Sequence, residues 1–246
     1  MKFLFTFLGI FILNVTHSQN ILAEYDIFYN TDHPMRRGSV LYYDYNSQTS
    51  IFRENYKNLP WDIKENEHDA DFIATVAKNL DNEFVLFDFK KRECFLIEDF
   101  VKSTYKVEEI FPVFDWQITS DEKQIGNLNC KKAIGNYRSR KFEVWFAAEI
   151  PIQVGPWKFN GLPGLVIEAY SLEMRYHYVL RNIKYNEDVN IELPQIDKLV
   201  SIRDYVTLQN EFHENSTKAA TPRGATVTVI KADRANFLEP KYEWEE

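Results

Sequence analysis

The feature that most restricts what this chain can fold into is a period-two alternation of apolar and polar residues, repeated in short runs from Tyr25 to beyond Tyr178. Successive side chains on an extended strand point to opposite faces, so alternation of this kind marks strands buried on one side. "SVLYYDYNSQTSIFRENY" reads as a hairpin, with Asn46 to Thr49 supplying the turn. "NEFVLFDFKK" and "RECFLIEDF" read as another pair. "STYKVEEIF", "FDWQIT", "NLNCKKAIGNY", "RKFEVWFAAEI" and "LVIEAY" continue the rhythm. Short connections between consecutive strands favour antiparallel pairing.

Two segments depart from that rhythm. Asn58 to Asp71 is polar and acidic and reads as a surface loop. In "SIRDYVTLQNEFHENSTK", Ile202, Tyr205, Leu208 and Phe212 recur at helical spacing, and Ser201 with Asp204 forms a capping pattern. The spacing predicts one late amphipathic helix, then a turn at "TPRG", a strand at "ATVTVI" and a frayed tail at "EPKYEWEE". The expected fold is mainly β: one large curved antiparallel sheet, barrel or half-barrel, with the helix against it. A β-sandwich is the alternative.

The opening "MKFLFTFLGIFILNVTHSQ" has Lys2, an apolar run to Leu13 and small residues at Thr16 and Ser18, the pattern of a secretory signal peptide cut near Ser18. The run falls short of the roughly 20 apolar residues that span a bilayer, so no transmembrane anchor is expected after cleavage. Residues 1–18 are thus expected to be the signal and 19–246 a single β-rich domain. The formal charge of −8 becomes −9 without Lys2, which disfavours nucleic acid as a partner.

Export also sets the redox setting for the two cysteines, Cys94 and Cys130. Their spacing leaves two outcomes open, a disulfide or two buried thiols. His33, His68, His177 and His213 lack the spacing of a metal site, and neither a GxSxG nor a phosphate-binding glycine loop occurs. No metal and no cofactor are expected. Glu143, Glu149 and Glu168 on the strands around "WFAAEI" and "LVIEAY" are the candidates for a hydrolase, but Glu143 and Glu149 lie about 20 Å apart along an extended strand, too far for a glycosidase pair.

One stretch concentrates the backbone punctuation. Pro151, Pro156 and Pro163 fix φ, and Gly155, Gly161 and Gly164 open conformations closed to other residues. A loop so constrained holds Trp157, Lys158, Phe159 and Asn160 in fixed places, either lining a groove as ligand-binding residues or plugging the end of the core. "EIPIQVGPWKFNGLPGLVIEAY" closely resembles the signature of the GLPGLI family, exported proteins of Bacteroidota, with Gly161, Leu162, Pro163, Gly164, Leu165 and Val166 in the hexapeptide. Trp116, Ile125, Cys130, Ala133, Arg140 and Trp145 extend the likeness upstream. The resemblance implies an envelope protein of unknown biochemical function and carries no catalytic residue. The expected function is a non-catalytic periplasmic or cell-envelope module that binds an apolar or peptide-like ligand, or an envelope protein, near the motif loop. A hydrolase is the alternative.

Overall fold

Alternating burial is what the strands show: along Ile21–Tyr29 (β1), Ile21, Ala23, Tyr25 and Ile27 are buried while the residues between them are half-exposed. The computed structural model describes residues 20–31, 34–55, 83–186, 194–220 and 237–245. The strands after β1 are Met35–Asp44 (β2), Thr49–Asn55 (β3), Phe84–Asp88 (β4), Glu93–Phe100 (β5), Ser103–Glu109 (β6), Gln117–Ile125 (β7), Leu128–Tyr137 (β8), Arg140–Ala147 (β9), Leu165–Ser171 (β10), Tyr176–Tyr185 (β11) and Lys198–Ser201 (β12). They form one open, curved sheet in the order β12-β6-β5-β4-β3-β2-β1-β11-β10-β9-β8-β7. Every pairing is antiparallel except β12 with β6. A sheet this wide coils because its strands twist, and one inner face becomes the core.

Register fixes which residues share that face. Tyr25 lies opposite Ser39, Leu41 opposite Phe52, Val85 opposite Leu96 and Leu96 opposite Val107. Beyond β1, Ile27 lies opposite Tyr178, Tyr178 opposite Ala169, and Ala169 opposite Val144. The edge strand β7 is mostly exposed and carries Asp121, Glu122 and Lys123, charges that discourage pairing with another chain.

The helix Ile202–Ala220 (α1) begins where β12 ends. Ser201 accepts from the Asp204 amide at 3.1 Å and donates to the Asp204 carboxylate at 2.7 Å, the cap read from the sequence. Ile202 and Tyr205 are buried, and Tyr205 meets Tyr105 and Phe100 with ring centroids 5.5 and 6.0 Å apart. The helix therefore closes the β5–β6 end of the inner face.

Two expectations change. Residues 239–245 of the tail are packed against the sheet, as described below. Strand β9 stops at Ala147, so Glu149 sits in a turn, where its carboxylate accepts from the Asn129 amide at 3.0 Å. The signal segment, the loop 58–71, the "TPRG" turn, the "ATVTVI" strand, His33, His68 and the His213 side chain lie outside the described residues.

Candidate functional site

The loop between β9 and β10 folds back onto the inner face of the strands that flank it. The Leu165 amide donates to the Ile150 carbonyl at 3.0 Å, the Val166 amide to Val154 at 3.1 Å and the Gly161 amide to Gln153 at 3.2 Å. Gly164 is required by close approach: a Cβ there would stand 2.3 Å from the Ala147 carbonyl oxygen. Gly161 has φ +85°, and Trp157 itself sits at φ +52°, a conformation held by its surroundings rather than by its own preference.

Trp157, Lys158, Phe159 and Asn160 are all buried. The Phe159 ring lies within 5.1 to 5.6 Å, centroid to centroid, of Phe142, Trp157, Phe114 and Tyr178. The Asn160 side-chain amide donates to the Pro112 carbonyl at 3.1 Å, and the Asn160 backbone carbonyl accepts from the Trp116 indole at 2.8 Å. Apolar bulk and these bonds thus tie the loop to the 110–116 connection.

Lys158 enters the interior as a charge. Its ammonium bonds the Glu109 carboxylate at 2.5 Å and also Glu239. Glu109 grips the Arg138 guanidinium with both oxygens, at 2.7 and 3.1 Å, and Arg138 extends to Glu239 and, at 3.0 Å, to Glu243. The Arg138, Lys158 and Glu109 side chains are at most 2% exposed, whereas Glu243 is 43% exposed. Burial alone would push Lys158 down, but Glu239 and Glu109 outweigh it and hold the ammonium well above its usual range. Burial would likewise raise Glu109, yet Lys158 and Arg138 leave it below the ordinary carboxylate value. Lys158, Arg138 and Glu109 are therefore charged in the folded protein.

The tail supplies two of the three carboxylates in this network, Glu239 and Glu243. Phe237 and Leu238 carbonyls accept from the Arg140 guanidinium at 2.7 and 3.3 Å, the Lys241 amide donates to the Arg138 carbonyl at 3.3 Å, and the Arg138 guanidinium stands 4.4 Å from the Tyr242 ring centroid. Above Arg138 opens a depression of about 550 Å³. Ile110, Phe111 and Val113 form one wall, residues 136–139 the floor, and Lys241, Tyr242, Glu243 and Glu245 the other wall. Reading the sequence alone missed this site. Its signal is the pairing of "RSRK" at 138–141 with the acidic "EPKYEWEE", two segments a hundred residues apart.

The remaining candidates fall elsewhere. Cys94 on β5 and Cys130 on β8 are free, buried thiols with seven strands between them in the sheet order. They are not joined, and burial pushes them up to about 12 and about 11, which leaves them inert. On the opposite face of the sheet, Glu143 accepts from the Trp145 indole at 3.0 Å and from the Tyr170 hydroxyl. Glu168 bonds His177 at 2.8 Å and Lys123 at 2.5 Å; these partners hold its carboxyl at about 2 against the opposing effect of burial. A general acid needs the opposite shift, so these contacts lend a hydrolase no support.

Because the Glu168 value is depressed in the fold, its contribution is present above the unfolded value near 4.5 and lost as the pH falls towards 2. Glu168→Gln should cost on the order of 1 kcal/mol at pH 7, with Lys123 well exposed and screened, and almost nothing at pH 2. Denaturant melts at the two pH values check this, and an equal loss at both would contradict it.

With the geometry in place, comparison shows what the chain is similar to. A family model described as a protein of unknown function (Porph_ging) matches residues 136–168, from the floor of the depression through the motif loop into β10. No curated protein sequence matches the chain significantly. Among solved structures, PNGF-II in its C2 crystal form superposes with a TM-score of 0.56 at 14% identity, covering 77% of this chain and 32% of that one. Its P21 form gives 0.55 at 13%, covering 78% and 33%. The chain thus spans about a third of PNGF-II, and the likeness is one of fold. A LolA superfamily protein from Nitrosomonas europaea aligns over 70% of this chain and 88% of its own, at 10% identity and a TM-score of 0.30. Among the described residues no helix is long and apolar enough to cross a membrane.

Proposed function

We propose that this chain is an exported, non-catalytic binding module of the cell envelope, cut near Ser18, whose ligand seat is the depression above Arg138. The matched residues 136–168 contain "GLPGLV", which supports placing the chain among GLPGLI-type proteins. The observation that carries the reading is the combination found in that depression: an exposed aliphatic wall, with Val113 68% and Ile110 49% exposed, beside a buried guanidinium. Pockets that bind are concave and mostly apolar with a few fixed polar groups, and an arginine fork recognises carboxylates.

The ligand class is peptide-like, with apolar side chains and a carboxylate. Glu243 is the replaceable partner of Arg138, being far more exposed than Glu109 or Glu239. Trp157, Lys158, Phe159 and Asn160 support the floor: Lys158 holds Glu109 and Glu239, and these orient Arg138.

Native mass spectrometry of full-length protein released gently from the producing cell's envelope tests the proposal. An adduct present in the wild type and lost from Val113→Asp, a change on an exposed wall that leaves the thermal melt in place, is the expected result. Bare protein in both, or the same adduct in both, would overturn it.

A further inference from the structure

The inner face carries two further carboxyl groups, Glu83 and Glu98, within electrostatic reach of Glu54 and, for Glu98, of Lys158 and Glu239. Glu98 lies opposite Tyr105 on β6, and the Phe84–Ile97 pairing sets Glu83 beside Glu98. Through Phe52 opposite Val85, the same alternation adds Glu54 to the row. Neighbouring strands are about 4.8 Å apart, so the three carboxyls span about 10 Å across β3, β4 and β5.

Glu54 is engaged, accepting from the Tyr29 hydroxyl at 2.5 Å and from Arg37 at 3.0 Å. Glu83 and Glu98, both partly buried, make no hydrogen bond and no ion pair with the described residues. Two hydroxyls beside Glu54 have no protein partner. Tyr178 and Ser39 are at most 1% exposed, and neither side-chain oxygen has a partner. Ser39 is the cross-strand neighbour of Glu54, and Tyr178 faces the Glu54 charge from β11. Buried polar groups in native proteins are normally bonded, so the two enclosed hydroxyls, beside a row of half-buried carboxyls, give a polar ligand group hydrogen-bond partners on this face.

The surroundings say which kind. Tyr205 of α1 faces Glu98 and Glu83, with Tyr105 beside it, and Tyr29 and Tyr178 stand at the Glu54 end. Carboxylates among tyrosine rings suit an organic cation, which gains from the charge and from the ring faces together. The protein shows the pattern once already, since the Arg37 guanidinium that bonds Glu54 lies 5.1 Å from the Tyr29 ring centroid. Along a row, by contrast, the carboxyls do not converge on one point, and no three acidic, histidine or cysteine side chains among the described residues form a metal-sized group.

We propose that the inner face between β3, β5 and α1 binds an organic cation, an alkylammonium or guanidinium group of the kind a basic peptide presents, with Glu83 and Glu98 as its counter-charges and Tyr178 as a hydroxyl partner. None of these residues lines the depression above Arg138. Burial, then the neighbouring carboxylates, push Glu83 up to about 9 and Glu98 up to about 7, against the opposing pull of Arg37 on the first and Lys158 on the second. The charged groups facing the pair are Glu54, Asp99, Arg37, Lys158 and Glu239, with Tyr29, Tyr105, Tyr178 and Tyr205 around them. A cation must displace those protons, so its affinity rises with pH through this range.

Calorimetric titration of the full chain with tetralysine at pH 8.5 and 5.5 is the test. The expected result is saturable binding at pH 8.5, weakened at least tenfold at pH 5.5. Glu83→Gln with Glu98→Gln should weaken binding at pH 8.5 at least tenfold and Tyr178→Phe several-fold. Glu93→Gln with Glu108→Gln, which removes two exposed acids elsewhere, should bind as wild type. No binding at pH 8.5, or equal losses in the two double variants, would overturn the site and leave only attraction to an acidic surface. Glutamine matches the neutral carboxyl in shape, and carboxyl-carbon NMR shifts of Glu83 and Glu98 in the wild type read the same event without mutation. Resonances that tetralysine leaves unmoved would also overturn it.

Discussion

Phe159→Ala lowers the folding stability of this protein by about 3–5 kcal/mol, the cost of emptying an aromatic site in a packed core. Phe159 is 1% exposed, and its ring lies among Phe114, Phe142, Trp157 and Tyr178 on the inner face. These neighbours come from the 110–116 connection, β9, the loop itself and β11, so no single element can move to refill the space. Trp157 at positive φ packs on Phe159 itself, with centroids 5.2 Å apart, and on Phe114 and Phe142, and its release would add to the loss. Chemical denaturation followed by tryptophan fluorescence measures the effect. A loss under about 1 kcal/mol would mean that the loop lies on the core rather than within it.

Lys158→Met is expected to cost a similar 3–5 kcal/mol at pH 7, for a different reason. The methionine fills the volume, but Glu109 and Glu239 lose the ammonium that neutralises them, and removing one partner of a buried pair strands the other. Glu109 keeps Arg138, but Arg138 alone must then balance Glu109, Glu239 and Glu243. The deficit should shrink as the pH falls, because Glu109, freed from the pull of Lys158, takes up a proton more readily. It should also shrink in Lys158→Met with Glu109→Gln, and a double-mutant cycle on stability reads the coupling directly. Strict additivity of the two changes would contradict a shared network.

The same linkage runs in the opposite direction for Glu98. Its folded value, about 7, lies above the unfolded value near 4.5, so the native state holds the extra proton and loses stability as the pH rises through that window. Glu98→Gln should therefore melt higher than wild type at pH 8, with the difference closing at pH 4. A binding site that carries unpaired carboxyls at a cost in stability is a common trade in proteins.

Much of the fold was legible in the sequence because burial on one face of a strand writes itself as alternation. The β2–β3 turn at 45–48, the β4–β5 pair and the Ser201 cap are local chemistry, set by residues a few positions apart. The tail was misread as frayed because its partners are remote: Glu239 and Glu243 look like solvated charges until Arg138 and Lys158 are brought beneath them. Cys94 and Cys130 pose the same problem, since only the sheet order shows how many strands lie between them.

The prolines and glycines from Pro151 to Gly164 determined, without any tertiary information, that the segment is a constrained loop between two strands. Where its side chains go was decided only by the closing of the sheet. A period-two pattern and a rigid loop constrain dihedral angles, which are properties of neighbouring residues. The charge carried by Lys158 and the unpaired carboxyls of Glu83 and Glu98 depend on which distant groups share their desolvated space, and that follows from strand order and curvature.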